Sequence, residues 1–432
     1  MRLSPWLPLA VLSAALCGAA TRPHYGGTLR VEMRAATPDN DPLASLAFET
    51  LVRLDPSGTP QPCLALSWQH DAASRRWQFQ LRPGVRFQDG SPLNAAAVVS
   101  SLEGALPGLA VAANGETITV RADHPVPDLL LSLAHDARIM GHDALGTGPF
   151  RMTAFDPGRH VTFAANEDYW GGRPFLDAID IQLGRALRDQ FADLELGKTD
   201  VSELAPADVR RASAHGRTVW TSAAVKLMAL RCAADARLCE ALGLSIDRAA
   251  MHTVLLQKQG EISAALLPEW ISGYAFAFPT TPDLARARAL AAALPAAARS
   301  VSLSYDPAIP AARALADRIA VNARDAGLML QISAQNAQAA LRLVEVPLPS
   351  LSPARALTAL ATALGLEAPA AASTVAALYE SERKLLDGDR VIPLFYLPDQ
   401  YGVAARVRGD APPVTRAGEW QFENVWLAGT AP

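Results

Sequence analysis

The chain has 432 residues, half of them hydrophobic and 19% charged, enough for two or three packed units with real cores. Its formal net charge of -4 and pI near 6.1, with no block of like charge, argue against a nucleic-acid surface or a charged tail. Aromatic content is low at 6%, and abundant Ala favours helices in the second half.

The N-terminus reads as an export signal over residues 1–20. Arg2 is a minimal positive region, Leu7 to Leu16 is an apolar run short for a membrane span, and Gly18-Ala19-Ala20 offers small residues for cleavage. A membrane anchor and a lipoprotein cleaved before Cys17 are the alternatives. Leu16 stands against the second, because a small residue is normally wanted there. Gly26 to Met33 reads as a first strand, and Pro42 to Leu54 as a helix with Leu43, Leu46, Ala47 and Leu51 on one face. Asp55 to Pro60 is a turn.

Trp77 to Leu93 is the densest local plan. Trp77, Phe79 and Leu81 alternate with Gln78, Gln80 and Arg82 as in a strand. Pro83-Gly84 makes a turn, Val85 and Phe87 resume the alternation, and Asp89 to Pro92 turns again. Asn94 is placed to cap a helix from Ala95 to Leu102. Glu116–Val120 is a further strand, Pro125–Leu133 a short helix, Gly146–Ala154 a strand and Phe191–Gly197 a helix. Strand Val225–Leu230 opens the second half. Helix Thr281–Ala293, strand Val301–Tyr305, helix Pro310–Ala326 and strand Leu328–Ile332 follow, an alternation that argues for an α/β unit.

Export places the cysteines in an oxidising compartment. Cys232 and Cys239 lie close across an expected strand-to-helix turn, so a local disulfide that leaves Cys63 free stands beside three buried thiols as alternatives. Without CxxC spacing they predict no zinc site. His124, His135 and His142 fit no standard metal spacing. With no GxSxG, HExxH, Walker A or GxGxxG, no catalytic residue and no cofactor are expected.

The pattern W-x-F-x-L-R-x-G-V-x-F-x-D-G-x-P-L over Trp77 to Leu93 resembles the family 5 solute-binding proteins, which deliver peptides, nickel and other solutes to ABC importers. Similar wording runs from Leu51-Val52 to Ser67-Trp68 and through Gly146-Thr147-Gly148-Pro149-Phe150. It continues in Asn166, Tyr169, Trp170, Gly171, Gly172, Pro174, Leu176 and Asp177, then in Ala241-Leu242 with Ile246-Asp247-Arg248. Val391–Tyr396 and Asn424–Leu427 resemble the family's return segment and end. The resemblance is dense to about residue 255, moderate to 332 and weak over 333–390.

It implies an α/β, two-lobed periplasmic-binding-protein-like fold (type II, cluster C-like) with a cleft and hinge between the lobes. Lobe I would comprise residues 21–227 and 397–432, and lobe II residues 228–396, shortened relative to the family. It also implies an extracytoplasmic protein, expected to be a monomer, that closes over a peptide or other small organic solute and hands it to ABC permease subunits. A solute sensor or peptide chaperone on the same scaffold is the alternative. Peptide-binding members anchor the peptide ammonium on an acid of the second lobe, in a segment where this chain departs. Its best substitute there is Glu345, in VEVPLP. Nickel-binding members use a late His, whereas all eight His here precede residue 253. The candidate solute contacts are therefore Asp39, Asn40, Asp41, Trp270, Tyr274, Glu345 and Tyr396, with no metal ligand.

Overall fold

A computed structural model of the chain describes residues 22–34, 43–55, 57–141, 145–370, 372, 374–409 and 413–428. The Trp77 region forms as its alternation dictates. Strand Arg76–Leu81 buries Trp77, Phe79 and Leu81, and it pairs antiparallel with Ala65–His70 on one side and Thr117–Arg121 on the other. Ala110–Asn114 completes a four-stranded sheet. Gly84 takes φ +75 in the turn, a left-handed backbone that suits Gly. The Asn94 side chain accepts the Ala97 N–H at 2.9 Å and starts helix Ala95–Ala105, which lays Val98 and Leu102 on the sheet.

A second, eleven-stranded sheet runs through most of the rest of the described chain. Its first half holds Thr28–Glu32 parallel to Ala178–Gln182 and to Val201–Glu203, with His160–Ala165 and Phe150–Asp156 at the edge. Its second half holds Ser300–Tyr305 parallel to Met329–Ala334 and to Leu341–Pro347, with helix Ala312–Asp325 as the crossover between the first two. Two long antiparallel strands, Thr218–Cys232 and Val391–Val403, join the halves. Their ladder breaks between Thr221 and Ala224 and again between Ala224 and Lys226, opposite residues 397–400. Bulges weaken the backbone hydrogen-bond ladder locally and bend the strand.

Each half has its own core. Leu29, Val31, Phe150, Phe163, Trp420 and Phe422 pack the first. Leu230, Leu242, Leu303, Leu315 and Phe395 pack one face of the second. The opposite face is covered by helices Pro353–Leu364 and Val375–Leu386, whose Leu357, Leu360, Leu364 and Leu378 join an apolar cluster continuous with the four-stranded sheet.

The expected helix over 42–54 is shorter and differently ended. Ala44–Ala47 is helical, Phe48 turns extended at φ -116 and ψ 139, and Val52–Leu54 pairs as a strand with Pro60–Pro62. Tertiary partners override the helical pattern here: Glu49 is drawn into a buried polar knot, and Val52 and Leu54 are needed by the core. The weakly patterned stretch 333–390 holds strand Leu341–Pro347 and those two helices.

Candidate functional site

Between the halves and the four-stranded sheet lies a cavity of about 1550 Å³. Two of its residues, Arg34 and Glu203, come from just after strand Thr28–Glu32 and from the end of Val201–Glu203. Lys226 and Asp399 come from the long joining strands where their ladder is broken, and Glu345 from Leu341–Pro347. These five make a charged end. Arg34 Nε lies 3.1 Å from Glu203 Oε2, and its Nη1 donates to the carbonyl of Ala308 at 3.0 Å, so it ties the first half to the second. Lys226 pairs with Asp399. Burial pulls the Lys226 ammonium down, but Asp399, Glu345 and Glu203 outweigh it and hold its pKa above the usual lysine value. Arg34 follows the same pattern, with Glu203 and Glu345 outweighing desolvation.

The other end of the cavity is walled by Leu109, Val126, Pro349 and Val375 among further prolines. Here the start of helix Pro353–Leu364 is fastened to the smaller sheet's side. Ser350 Oγ donates to Asp136 Oδ2 at 2.9 Å, and Ser352 Oγ donates to Asp128. Arg355 Nε lies 3.2 Å from Asp136 Oδ2, while Arg355 Nη2 donates to the Ala105 carbonyl at 3.0 Å. Beside them His135 is held above its ordinary pKa: burial lowers it, and the Asp136 hydrogen bond and the Glu419 charge raise it by more.

The motifs that look most like a signature lie outside this cavity. Glu49 is buried and accepts from Thr147 Oγ1, Tyr169 Oη and Trp170 Nε1, each at 2.8 Å, and from Cys63 Sγ at 3.5 Å. Burial pushes its carboxyl pKa up in spite of these donors. The Arg82 guanidinium stacks on the Trp170 ring, 4.1 Å from its centroid. Gly146-Thr147-Gly148 and Tyr169-Trp170 thus close one polar knot that pins the 145–172 segment to the Glu49 segment. A Cβ on Gly146 would sit 1.9 Å from the Ala47 carbonyl oxygen.

Of the residues singled out by sequence, Glu345 lines the cavity. Asp39, Asn40 and Asp41 lie outside the described residues, as do the signal segment 1–20 and His142. Trp270, Tyr274 and Tyr396 do not line the cavity. Trp270 Nε1 donates to the Ala224 carbonyl at 3.0 Å, beneath the Arg416 guanidinium. Tyr274 and Tyr396 are buried and turn their hydroxyls to Glu382 and to the Leu266 carbonyl. Strand parity explains Tyr396: Asp399 and Tyr401 share the cavity-facing parity of Val391–Val403, and Tyr396 has the other. The same parity could have found Asp399. Lys226, a lone cation inside the apolar run VKLMAL, was also a readable signal. Arg34, Glu203 and the Asp128–Asp136 contacts depend on distant chain segments meeting and left no linear trace.

Cys232 and Cys239 are disulfide-bonded, with Cα atoms 5.9 Å apart, and Cys63 is a buried free thiol. Among the described residues no group of three or more His, Cys, Asp or Glu could hold a metal ion, and no helix is long and apolar enough to cross a membrane.

The sequence profile of bacterial extracellular solute-binding proteins, family 5 (Middle), matches residues 59–346. The chain is similar to the nickel-binding protein NikA of Staphylococcus aureus, 26% identical over 174 residues that cover 36% of this chain and 35% of that protein. It is similar to the probable D,D-dipeptide-binding periplasmic protein DdpA of Escherichia coli, 23% identical over 249 residues, 49% of this chain and 48% of that one. These alignments therefore span from about a third to about half of the relatives' length. In three dimensions the match is fuller. The oligopeptide-binding protein AppA of Bacillus subtilis, solved with a nonapeptide, superposes with a TM-score of 0.77 at 15% identity, over 94% of this chain and 100% of that one. The fold is the two-lobed one of periplasmic binding proteins.

Proposed function

We infer function from family: the chain belongs to the bacterial extracellular solute-binding proteins, family 5, and it captures a peptide or other small organic solute outside the cytoplasm for an ABC importer. One observation carries this reading. The 1550 Å³ cavity sits where the two joining strands lose their regular ladder, so its walls belong to halves that can rotate about that seam. Closure excludes water from the solute, and the closed surface is what membrane permease subunits receive. Lobe I takes residues 21–227 and 397–432, and lobe II residues 228–396. This division is supported by the irregular ladder on either side of residue 227, where register shifts fall between Ala224 and Lys226 and between Met228 and Ala229, opposite the returning strand near Leu397. The charged and apolar groups of the wall suit recognition. No reaction is assigned. The N-terminal segment exports the chain to the periplasm or its equivalent, where it acts as a monomer.

Isothermal titration of the purified protein against a library of peptides and small organic solutes tests this. Saturable binding of at least one solute, with a decrease in radius of gyration by small-angle scattering, is expected. A cavity that binds no solute and never closes counts against it.

A further inference from the structure

The mouth of the cavity is fastened largely through one carboxylate, and a titratable ring sits behind it. Asp136 follows helix Leu129–His135 and divides its two oxygens between the proposed lobes. Its Oδ2 takes Ser350 Oγ at 2.9 Å and Arg355 Nε at 3.2 Å, both from lobe II. Its Oδ1 lies 3.0 Å from Nδ1 of His135, which belongs to lobe I and lines the cavity. Little water reaches this pair: the His135 and Asp136 side chains keep 12% and 10% of their surface exposed. A carboxylate held by its own lobe presents a fixed oxygen to the other lobe, so less freedom is lost at each closure.

Charged groups face the ring from several elements. Asp128 starts the same helix and takes Ser352 Oγ. Arg138 follows in the chain, and Arg355 is the cation that lobe II brings. Glu419 acts on the ring from the C-terminal segment. A tight turn sets it there: Thr415 Oγ1 accepts the Glu419 N–H at 3.2 Å, and the Thr415 N–H donates to the Glu419 carbonyl at 2.9 Å. Burial raises the Glu419 carboxyl pKa, and the charges of His135 and Arg138 draw it back. An imidazolium donates from both nitrogens and carries a charge that Asp136 and Glu419 share; a neutral ring has one donor and no charge. In the closed form burial lowers the pKa of the ring, and the Asp136 hydrogen bond and the Glu419 charge raise it by more. Opening admits water, which relieves the burial, screens both carboxylates and returns the ring towards its ordinary value. The closed form therefore holds the proton more tightly than the open one. Its advantage is fully present below the ordinary histidine range and is lost as pH rises through the raised value.

We propose, resting on the solute-binding reading and the lobe division above, that His135 is a proton-dependent positioning residue of the mouth: charged, it fixes Asp136 for Ser350 and Arg355 and keeps the lobes closed over the solute; neutral, it lets them part. Solute is retained in acid surroundings and released more readily as they turn alkaline. Glu419 takes part through the ring, as the second carboxylate that holds its proton.

The test reads closure itself and needs no solute. Glu103→Cys in helix Ala95–Ala105 and Thr362→Cys in helix Pro353–Leu364 replace exposed residues on the two sides of the mouth. Cys63 is buried and Cys232 and Cys239 are bonded to each other, so spin labels go to the two new thiols. Double electron–electron resonance on the labelled full chain, with bound solute removed by dialysis, gives the open and closed populations. From about pH 5.5 to about pH 8.5 the open-to-closed ratio should rise by about threefold or more. His135→Gln should hold the high-pH ratio throughout, and Glu419→Gln should move the transition to lower pH. If His135→Gln does not fold, the wild-type and Glu419→Gln profiles decide. A flat wild-type profile, a closed population that grows with pH, or a wild-type transition kept in His135→Gln overturns the proposal. An unmoved transition in Glu419→Gln overturns the part given to that carboxylate. Any of these leaves the library titration untouched and the solute-binding reading standing, whereas a cavity that binds no solute removes that reading whatever the labels report.

Discussion

Tyr274 donates its hydroxyl to Glu382 Oε2 at 2.7 Å, and the other oxygen of that carboxylate accepts the backbone N–H groups of Leu266 and Leu267. Glu382, on helix Val375–Leu386, is fully buried, and it fastens the 263–278 segment beneath the helix that carries Val375. Burial raises its pKa from 4.5 to about 6, against the lowering effect of Tyr274 and the two N–H groups.

That shift sets a pH dependence. The folded chain holds this proton more tightly than the unfolded one, so the contribution is fully present below about pH 4.5 and is lost as pH rises through about 6. The shift is worth about 2 kcal/mol. Glu382→Gln keeps an acceptor and has no proton to lose. Thermal unfolding of the two proteins followed from about pH 4.5 to about pH 7 should show the wild type losing stability relative to the variant. Parallel curves would remove Glu382 from the account.

Glu49 gathers Thr147, Tyr169 and Trp170. Truncation to Ala leaves two buried donors, Thr147 and Tyr169, and the half-buried Trp170 without their acceptor, a cost of about 3 kcal/mol in urea unfolding. Glu49→Gln, which keeps one acceptor oxygen, should cost less. If the Ala variant unfolds at the wild-type midpoint, the knot is not what pins the 145–172 segment.

Gly146→Ala should be as severe, because the new Cβ would overlap the Ala47 carbonyl oxygen at 1.9 Å and backbone has to move. A loss of about 3 kcal/mol, or failure to fold, is expected. Gly84→Ala supplies the control. It meets no atom within 4 Å and carries only the strain of its positive φ, so it should cost far less.

Much of the scaffold was legible in the sequence because its signals are local. Trp77, Phe79 and Leu81 announce a strand by period, and Asn94 announces a helix start by its capping oxygen. The Glu49 segment misled because helical spacing at Leu43, Leu46 and Leu51 says nothing of a carboxylate claimed by residues about a hundred positions away. The cavity was less legible still. Glu345 was readable as an acid in an apolar stretch. Arg34, Glu203 and Asp399 become a site only when parallel strands and two long crossing strands bring them together. Trp270 and Tyr396 attracted notice as large aromatics, and the fold spends both on hydrogen bonds to buried carbonyls.

Arg355 bridges Asp136 and the Ala105 carbonyl, across the mouth between helix Pro353–Leu364 and the smaller sheet. Arg355→Ala removes that fastening and shifts the balance towards the open state. Solute affinity should fall by about tenfold, mostly through faster release in stopped-flow measurements. An unchanged release rate would mean that these contacts do not hold the closed state.

The Cys232–Cys239 bond spans a sequence separation of 7, so it closes a short loop at the start of helix Ala236–Ser245. Replacing both with Ser should lower stability by about 2 kcal/mol, read as a lower unfolding midpoint. Addition of reductant should move the wild type to the same midpoint and leave the variant where it is.

The most direct test of the account is mass spectrometry of whatever small molecule leaves the purified protein on denaturation, compared with a Val375→Arg variant whose side chain projects into the cavity. A solute bound in near-stoichiometric amount to the wild type and largely absent from the variant is expected. No released solute, or the same amount from both proteins, would contradict it.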